Sequence, residues 1–301
     1  MQELLNGLNG KVVAIVGPTG TGKSDLAIKI AQKHDGEVIN SDSMQFYRGM
    51  NIGTAKLSKT QMQGIAHHLI DILDVTEEFS VQEFQQKARE TIADIQQRGK
   101  LAILVGGSGL YTRAALDELN FPATDPTVRK KYEQRIQQEG NGALFRELAA
   151  KDPRSAQKIK LNDSRRIVRA LEVYELEGKP FSAFMPERKY AVPAVQIGLE
   201  MDREQLREHL AQRVKKMWDA GFLDEVKALD QHGVRQGKTA SRAIGYAQAL
   251  AYLDGTISLE EAQERMITLT RQFAKRQFTW FKQDPRVHWF DAAQFKHKEV
   301  Q

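Results

Sequence analysis

KVVAIVGPTGTGKSDLAIKIAQK, residues 11–33, opens at 11–16 on a lysine followed by the unbroken apolar run Val12–Val16, passes through a Gly/Pro/Thr-rich turn, and continues as an amphipathic stretch from Lys23 to Lys33. That order reads as strand, tight loop, helix. Within it, Gly17-Pro18-Thr19-Gly20-Thr21-Gly22-Lys23-Ser24 fits GxxxxGK[ST] in full, in the strand-to-helix context that such a match requires. Glycines let the loop wrap a phosphate closely, and backbone N–H groups and the helix N-terminus supply positive potential. Lys23 adds a full charge, and Ser24 can ligate Mg²⁺. All eight residues, 17–24, are therefore candidate diphosphate or nucleotide ligands.

Outward from this loop the pattern repeats. A short strand at Glu37–Asn40 ends in the polar cluster Ser41-Asp42-Ser43, and a helical stretch from Ser80 to Arg98 leads to the apolar run Leu101–Val105, closed by Gly106-Gly107-Ser108-Gly109. Strands alternating with helices, each strand ending in a polar or glycine-rich loop, predict an α/β fold: a P-loop NTPase-like parallel sheet flanked by helices, with ligands at its carboxyl edge. From about Asn120 to Tyr190 the chain turns to charged, helix-forming residues punctuated by prolines, which reads as a helical insertion domain. A fourth strand at Val195–Met201 returns to the sheet, followed by helices at 203–219, 221–231, about 240–253 and 258–282 and a last strand at Val287–Phe290. The expected division is a catalytic core in two parts, 1–118 and 192–301, around an insertion at 119–191.

Composition narrows the chemistry. With 301 residues, 41% hydrophobic and 28% charged, the chain has the make-up of an ordinary globular protein of more than one domain. No run approaches the ~18 apolar residues of a membrane span, and the N-terminus lacks a signal-peptide pattern, so no membrane partner and a cytoplasmic location are expected. The absence of cysteine removes disulfides, thiolate nucleophiles, zinc fingers and Fe–S clusters. Forty-four Lys+Arg against 39 Asp+Glu leave +5, a modest basic excess that permits an anionic partner. The excess concentrates at Arg165–Arg169 and Arg271–Lys282.

Phosphate binding does not fix a reaction. Hydrolysing P-loop proteins commonly place an Asp at the end of an apolar strand to help hold Mg²⁺, yet Leu101–Val105 runs into Gly106-Gly107. The carboxylate at a strand end is Asp42, which would suit a general base. On these residues alone a small-molecule kinase with ATP as donor stays open.

Three segments, GPTGTGKS at 17–24, INSDSMQFYRGMNIGTAK at 39–56 and LVGGSGLY at 104–111, together with RRIVRALEVYELEGK at 165–179, RAIGY at 242–246 and AKRQFTWF at 274–281, closely resemble the bacterial tRNA dimethylallyltransferase family over nearly the whole chain. The resemblance implies transfer of the five-carbon group of dimethylallyl diphosphate to N6 of the adenine 3′ of the anticodon, tRNA position 37, with Mg²⁺ assisting and the tRNA anticodon stem-loop as partner. It implies Asp42 as base, Lys23, Ser108 and Arg213 as further catalytic residues, and Ser24 as metal ligand. Asp42, Ser43, Met44 and Gln45 would line the adenine pocket. Arg165, Arg166, Arg169, Arg242, Gly245, Tyr246, Lys275, Arg276 and Gln277 would contact tRNA, and the protein is expected to act as a monomer.

The chain departs from the family pattern in three places. Ser108 stands where Thr is common, His209 where Arg is usual one turn before Arg213, and Ala247 where a longer polar side chain is more usual. The resemblance is weighed against plainer readings of the same residues. Arg165, Arg166 and Arg169 open a helix that Asp163 can cap and Gly178 can end, and such a run is often only a solvated face. Aromatics at 273, 278, 280 and 281 are expected mainly in the core, and His67-His68 is expected to be structural rather than metal-binding. Three alternatives remain: the kinase, a prenyltransferase acting on free AMP, and an RNA-binding module with the loop as a nucleotide switch.

Overall fold

In the computed structural model, which describes residues 1, 4, 7, 8, 10–184 and 187–296, the chain divides into two compact units, Met1–Leu116 with Tyr190–Gln301, and Asp117–Lys189. The larger unit begins with β1 (Val12–Val16), α1 (Lys23–Lys33), β2 (Gly36–Asn40), β3 (His67–His68), α2 (Val81–Gln97), β4 (Leu101–Val105) and α3 (Gly109–Leu116). The smaller unit contributes α4 (Pro126–Lys151), α5 (Pro153–Ala156) and α6 (Ser164–Glu177). The larger unit then resumes with β5 (Ala194–Glu200), α7 (Arg203–Asp219), α8 (Phe222–Gln231), α9 (Tyr246–Leu253), α10 (Leu259–Lys282), β6 (Val287–Asp291) and α11 (Ala293–Lys296).

The strands form a six-stranded parallel sheet in the order β3-β2-β4-β1-β5-β6. Every residue of β1 is buried, as a central parallel strand covered on both faces requires. The core joins Val13, Ile15, Val38, Ile103, Ile197 and Leu199 of the strands to Leu26, Ala27, Ile30 and Ala31, the inward stripe of α1. Register decides what happens at the edge: Ile15 pairs with Val105 and with Ile197, and Asn40 pairs with Val105. The loops that start at Gly17, Ser41 and Gly106 therefore leave the sheet at one level, and the strand order reverses around β1, the position where open α/β sheets take ligands.

Local chemistry sets most boundaries. Ser80 and Glu83 form a reciprocal capping box at the start of α2, and Asp163 accepts from Arg166 N while Gly178, at φ 64°, ends α6. The expected helix at about 240–253 is interrupted instead: a single 3₁₀ turn spans 240–242 and α9 starts at Tyr246. Gly245 causes the break, at φ 91°, and a Cβ there would fall 2.7 Å from Met266 Cε. The two-residue β3 had no signal in the sequence pattern.

The smaller unit has its own core of Tyr132, Leu144, Leu148, Ile159, Ile167 and Leu171. Helix α4 is broken at Gly140, whose φ is 77°. Glu172 is fully buried and takes Arg129, Arg169 and the backbone N–H of Asp125. A buried carboxylate is tolerated only when so paired.

A comparable device stabilises the amino end of β2. Glu37, 5% exposed, bonds Arg98 and His68, with Lys100 alongside. The Arg98 guanidinium, outweighing the cost of burial, holds this carboxyl down from 4.5 to about 2. Because the folded value is depressed, the stabilisation is full above about pH 4.5 and drains away as pH falls toward 2. With Arg98 partly solvated, we expect Glu37→Gln to cost roughly 1–3 kcal/mol at neutral pH. Urea titrations from pH 7 to pH 3 should show the wild-type margin shrinking toward that of the variant, and parallel pH profiles would disprove the assignment.

Candidate active site

The phosphate loop is shaped by what lies beneath it. Gly17 sits at φ 127°, and a Cβ there would come 2.5 Å from the Leu199 carbonyl oxygen, so only glycine lets β1 turn over the end of β5. Thr21 Oγ1 donates to Pro18 O at 2.9 Å and Lys23 Nζ donates to the same oxygen at 2.6 Å, closing the loop on itself. Thr19 is held from outside at both ends. Its N–H donates to Gln277 Oε1 at 2.8 Å, and its Oγ1 accepts from Arg213 Nη1 at 2.9 Å.

Asp42 follows β2 and is fixed by its neighbours. Its Oδ1 accepts from Met44 N at 3.0 Å, which starts the 3₁₀ turn Ser43–Phe46. Asn40 clamps the Asp42 backbone on both sides, accepting from its N–H at 2.9 Å and donating to its carbonyl at 3.0 Å, and it also donates to Leu69 O. Gln45 Nε2 donates to Thr54 O at 3.1 Å. A carbonyl partner demands a donor, which fixes the Gln45 amide with its nitrogen toward Thr54 and its oxygen on the other branch.

Lys23, Asp42 and Arg213 are close enough to perturb one another. Burial pushes the Lys23 ammonium down to about 7, with the Asp42 carboxylate opposing that shift and Arg213 adding to it. Burial raises Asp42 above its ordinary value, against the Met44 hydrogen bond and both cations. Arg213 is lowered by burial and partly restored by Asp42. The cluster thus combines a carboxylate made more basic with two cations that gain from an arriving anion.

The β4 loop completes this edge. Ser41 N donates to Val105 O at 2.8 Å and Gly106 N to Ile15 O at 3.2 Å, so the loops after β1, β2 and β4 are tied to one another. Ser108 is half-buried, and its carbonyl accepts from Thr112 N at the start of α3. His209 lies against the phosphate loop, its Cδ2 3.3 Å from where a Gly20 Cβ would stand. Ser24 lines a small cavity of about 30 Å³ with Asn40, Gln45 and His67, enough for about one water. His67 and His68 bond Ile65 O and Glu37, respectively, and no cluster of three His, Cys, Asp or Glu suited to a metal ion occurs among the described residues.

The residues expected to meet RNA separate into two groups. Arg165, Arg166, Arg242, Lys275 and Arg276 are exposed. Arg169, by contrast, is occupied within the smaller unit, donating to Pro122 O, Ala123 O, Thr124 Oγ1 and Glu172. Tyr246, 1% exposed, donates its hydroxyl to Glu225 at 2.6 Å, and Gly245 is buried against Met266. Gln277 is 5% exposed and faces the phosphate loop. Among the aromatics of α10, Phe281 is core, whereas Trp280 is 39% exposed and its indole fills the space beside Gly109.

Two residues not singled out from the sequence shape the site. One is Asn40, above, which lies within the 39–56 segment. The other, with no motif around it, is Glu225 on α8, whose carboxylate accepts from Asn51 N at 3.0 Å, Ile52 N at 2.7 Å, Gly53 N at 3.3 Å and the Tyr246 hydroxyl. That loop carries the Thr54 carbonyl that orients Gln45.

Residues 45–284 match the family model described as IPP transferase. A tRNA dimethylallyltransferase of Kocuria rhizophila is 57% identical over 281 residues, covering 93% of this chain and 89% of the relative. One from Pseudarthrobacter chlorophenolicus is 58% identical over 280 residues, covering 93% of each. Among solved structures, the tRNA isopentenylpyrophosphate transferase of Bacillus halodurans superposes with a TM-score of 0.69 at 42% identity, over 94% of this chain and 90% of that one. A eukaryotic dimethylallyltransferase acting on tRNA gives 0.81 at 33% identity, over 96% and 76%.

Removing Glu225 strands three backbone donors. We expect Glu225→Ala to cost roughly 2–4 kcal/mol and Glu225→Gln about half as much, since an amide keeps only one acceptor oxygen. Amide hydrogen exchange would read this directly: protection at 51–53 should fall in both variants, and unchanged protection would show that the loop is held by something else.

Proposed function

The chain belongs to the IPP transferase family, and on that footing we propose that it transfers the dimethylallyl group of dimethylallyl diphosphate to N6 of the adenine 3′-adjacent to the anticodon, tRNA position 37, yielding N6-isopentenyladenosine and diphosphate. One observation carries this reading: the phosphate-loop lysine and a carboxylate of raised proton affinity are electrostatically coupled at one edge of the sheet. A leaving-group cradle therefore adjoins a general base.

The exocyclic amine of adenine is a weak nucleophile because its lone pair is delocalised into the ring. As the new bond forms from N6 to the allylic carbon, the bond from that carbon to the diphosphate oxygen breaks, and Asp42 takes one N6 proton. The loop amides, Lys23 and Arg213 receive the charge that accumulates on the departing diphosphate. Lys23, held near 7 by burial even with the Asp42 carboxylate nearby, is drawn further toward its charged form by that ligand. The Gln45 amide oxygen suits an adenine amino hydrogen, and Ser108 adds a hydroxyl at the same edge.

Mg²⁺ fits the donor set in a restricted sense. Ser24 offers one hydroxyl and no carboxylate cluster adjoins it among the described residues, which suits an ion held chiefly by substrate phosphates and water. When bound, it would neutralise diphosphate charge. The kinase reading loses ground because β4 ends in Gly106-Gly107 rather than a metal-binding Asp.

The single-stranded anticodon loop lowers the cost of extruding the base. Arg165 and Arg166 of the insertion, with Arg242, Lys275 and Arg276 of the core, supply phosphate contacts, and exposed Trp280 supplies a stacking face. In this reading the enzyme works as a monomer in the cytoplasm. No helix among the described residues is long and apolar enough to cross a membrane.

Asp42→Asn keeps the oxygen that caps Met44 and removes the base. Turnover of an unmodified anticodon stem-loop with labelled dimethylallyl diphosphate should fall ~10²–10⁴-fold while stem-loop binding holds. In the wild type the acid limb of the rate profile should lie above the ordinary aspartate range. Full activity in Asp42→Asn, or phosphoryl transfer from ATP without prenyl transfer, would overturn the proposal.

Arg166→Ala and Arg276→Ala should weaken stem-loop binding and flatten its dependence on salt, each phosphate contact contributing about one unit of slope, with donor affinity unchanged. Equal affinities across a salt series would remove these arginines from the RNA surface.

A further inference from the structure

Helix α10 buries Ala274, Gln277 and Phe281, a spacing of three and four that marks one inward face. An amide in the middle of such a stripe is costly unless it is hydrogen-bonded. Its partner is the phosphate loop itself, through Thr19 N–H on Gln277 Oε1 at 2.8 Å. The other end of the amide explains a glycine. A Cβ at Gly107 would come 2.0 Å from Gln277 Nε2 and 3.3 Å from Gly17 O, so residue 107 must lack a side chain for this amide to reach the loop. The outward face of the same turns carries exposed Lys275, Arg276 and Thr279. Gln277 points away from them.

We propose that Gln277 is a positioning residue for the prenyl donor: by holding Thr19 N–H outward it fixes the curvature of the phosphate loop before the diphosphate arrives, and it makes no contact with RNA. This rests on the reading of the loop as a diphosphate cradle and reassigns a residue expected on the RNA side. The physical basis is pre-organisation. A glycine-rich loop has many conformations, and one fixed before binding need not be ordered at the moment of binding. Thr19 is then strapped from two helices, its backbone by Gln277 of α10 and its hydroxyl by Arg213 of α7. Arg213 is a cation that an arriving anion attracts, whereas the neutral amide of Gln277 gains nothing by leaving Thr19.

The test is direct binding of three probes by calorimetry: inorganic diphosphate, dimethylallyl diphosphate, and an unmodified anticodon stem-loop. Gln277→Met keeps the length and removes the acceptor. It should weaken both diphosphate probes by roughly three- to tenfold, the worth of one neutral hydrogen bond, and leave the stem-loop within about twofold. Gly107→Ala, which displaces the amide while leaving Gln277 in the sequence, should give the same pattern. The double variant should add little, since both act on one contact.

Unchanged diphosphate affinity in Gln277→Met would overturn the proposal. So would a loss confined to the stem-loop, which would make Gln277 an RNA ligand, or an equal loss for every probe, which would make it simple packing. If Gln277→Met fails to fold, Gly107→Ala carries the same test. Failure of the prenyl-transfer reading is told apart by the wild type: it would bind ATP but not dimethylallyl diphosphate, whatever happens at Gln277.

Discussion

Burial of opposite charges in one place is the constraint on which this site depends. Desolvation drives Lys23 toward its neutral form and Asp42 toward its protonated form, and each is partly restored by the field of the other. A carboxylate left in water would be a poor base for a weakly nucleophilic amine, and one buried with no cation nearby would hold its proton at neutral pH. Placed beside Lys23 and Arg213, it is made more basic and still exposed to cations that favour its charged form. The same cations await an anion. In the proposed reaction an incoming diphosphate favours protonated Lys23, so binding and leaving-group stabilisation would draw on one shift.

That balance requires placement on a sub-ångström scale, and the scaffold supplies it through backbone rather than through the reacting groups. Parallel register brings Ile15, Asn40 and Val105 to one level, and the loops beyond them are cross-tied by Ser41 to Val105 and Gly106 to Ile15. Asn40 then fixes the Asp42 peptide on both sides. Glu225 does the same for 51–53 from a helix more than 170 residues away in sequence. The Asn40 and backbone contacts add no charge near the reaction, and the Glu225 carboxylate is hydrogen-bonded by three backbone N–H groups and the Tyr246 hydroxyl.

What could be read from sequence follows from range. Strands β1 and β4 and helices α1 and α7 were legible because an apolar period and a cap lie within a few residues of each other. Asp163 and Gly178 bounded α6 for the same reason. The break at Gly245 was not legible, since glycine in a helix-like stretch is ambiguous until Met266 is seen packed against it. In the site, the phosphate loop and Asp42 stood out by motif and position. Glu225 and Asn40 did not, because an acidic residue on an amphipathic helix or an Asn ending a strand is common; the backbone partners of Glu225 lie more than 170 residues away, and the clamp of Asn40 on Asp42 and Leu69 depends on side-chain geometry that the sequence does not show. The residues expected to meet RNA show the converse. A motif tells which residues belong together but not which way each points, and Arg169, Tyr246 and Gln277 are hydrogen-bonded to other parts of the protein.

Helix α10 shows why that distinction matters for function. Lys275 and Arg276 precede Gln277 directly, and a helix turns about 100° per residue, so neighbours in sequence face different solvents. The outward residues are exposed cations, and in the proposed reading they attract an RNA backbone through a long-range field screened by salt. The inward residue makes one short, directional, neutral bond to the donor loop. These two kinds of interaction differ in distance dependence and in response to ions, and a single rigid helix carries both.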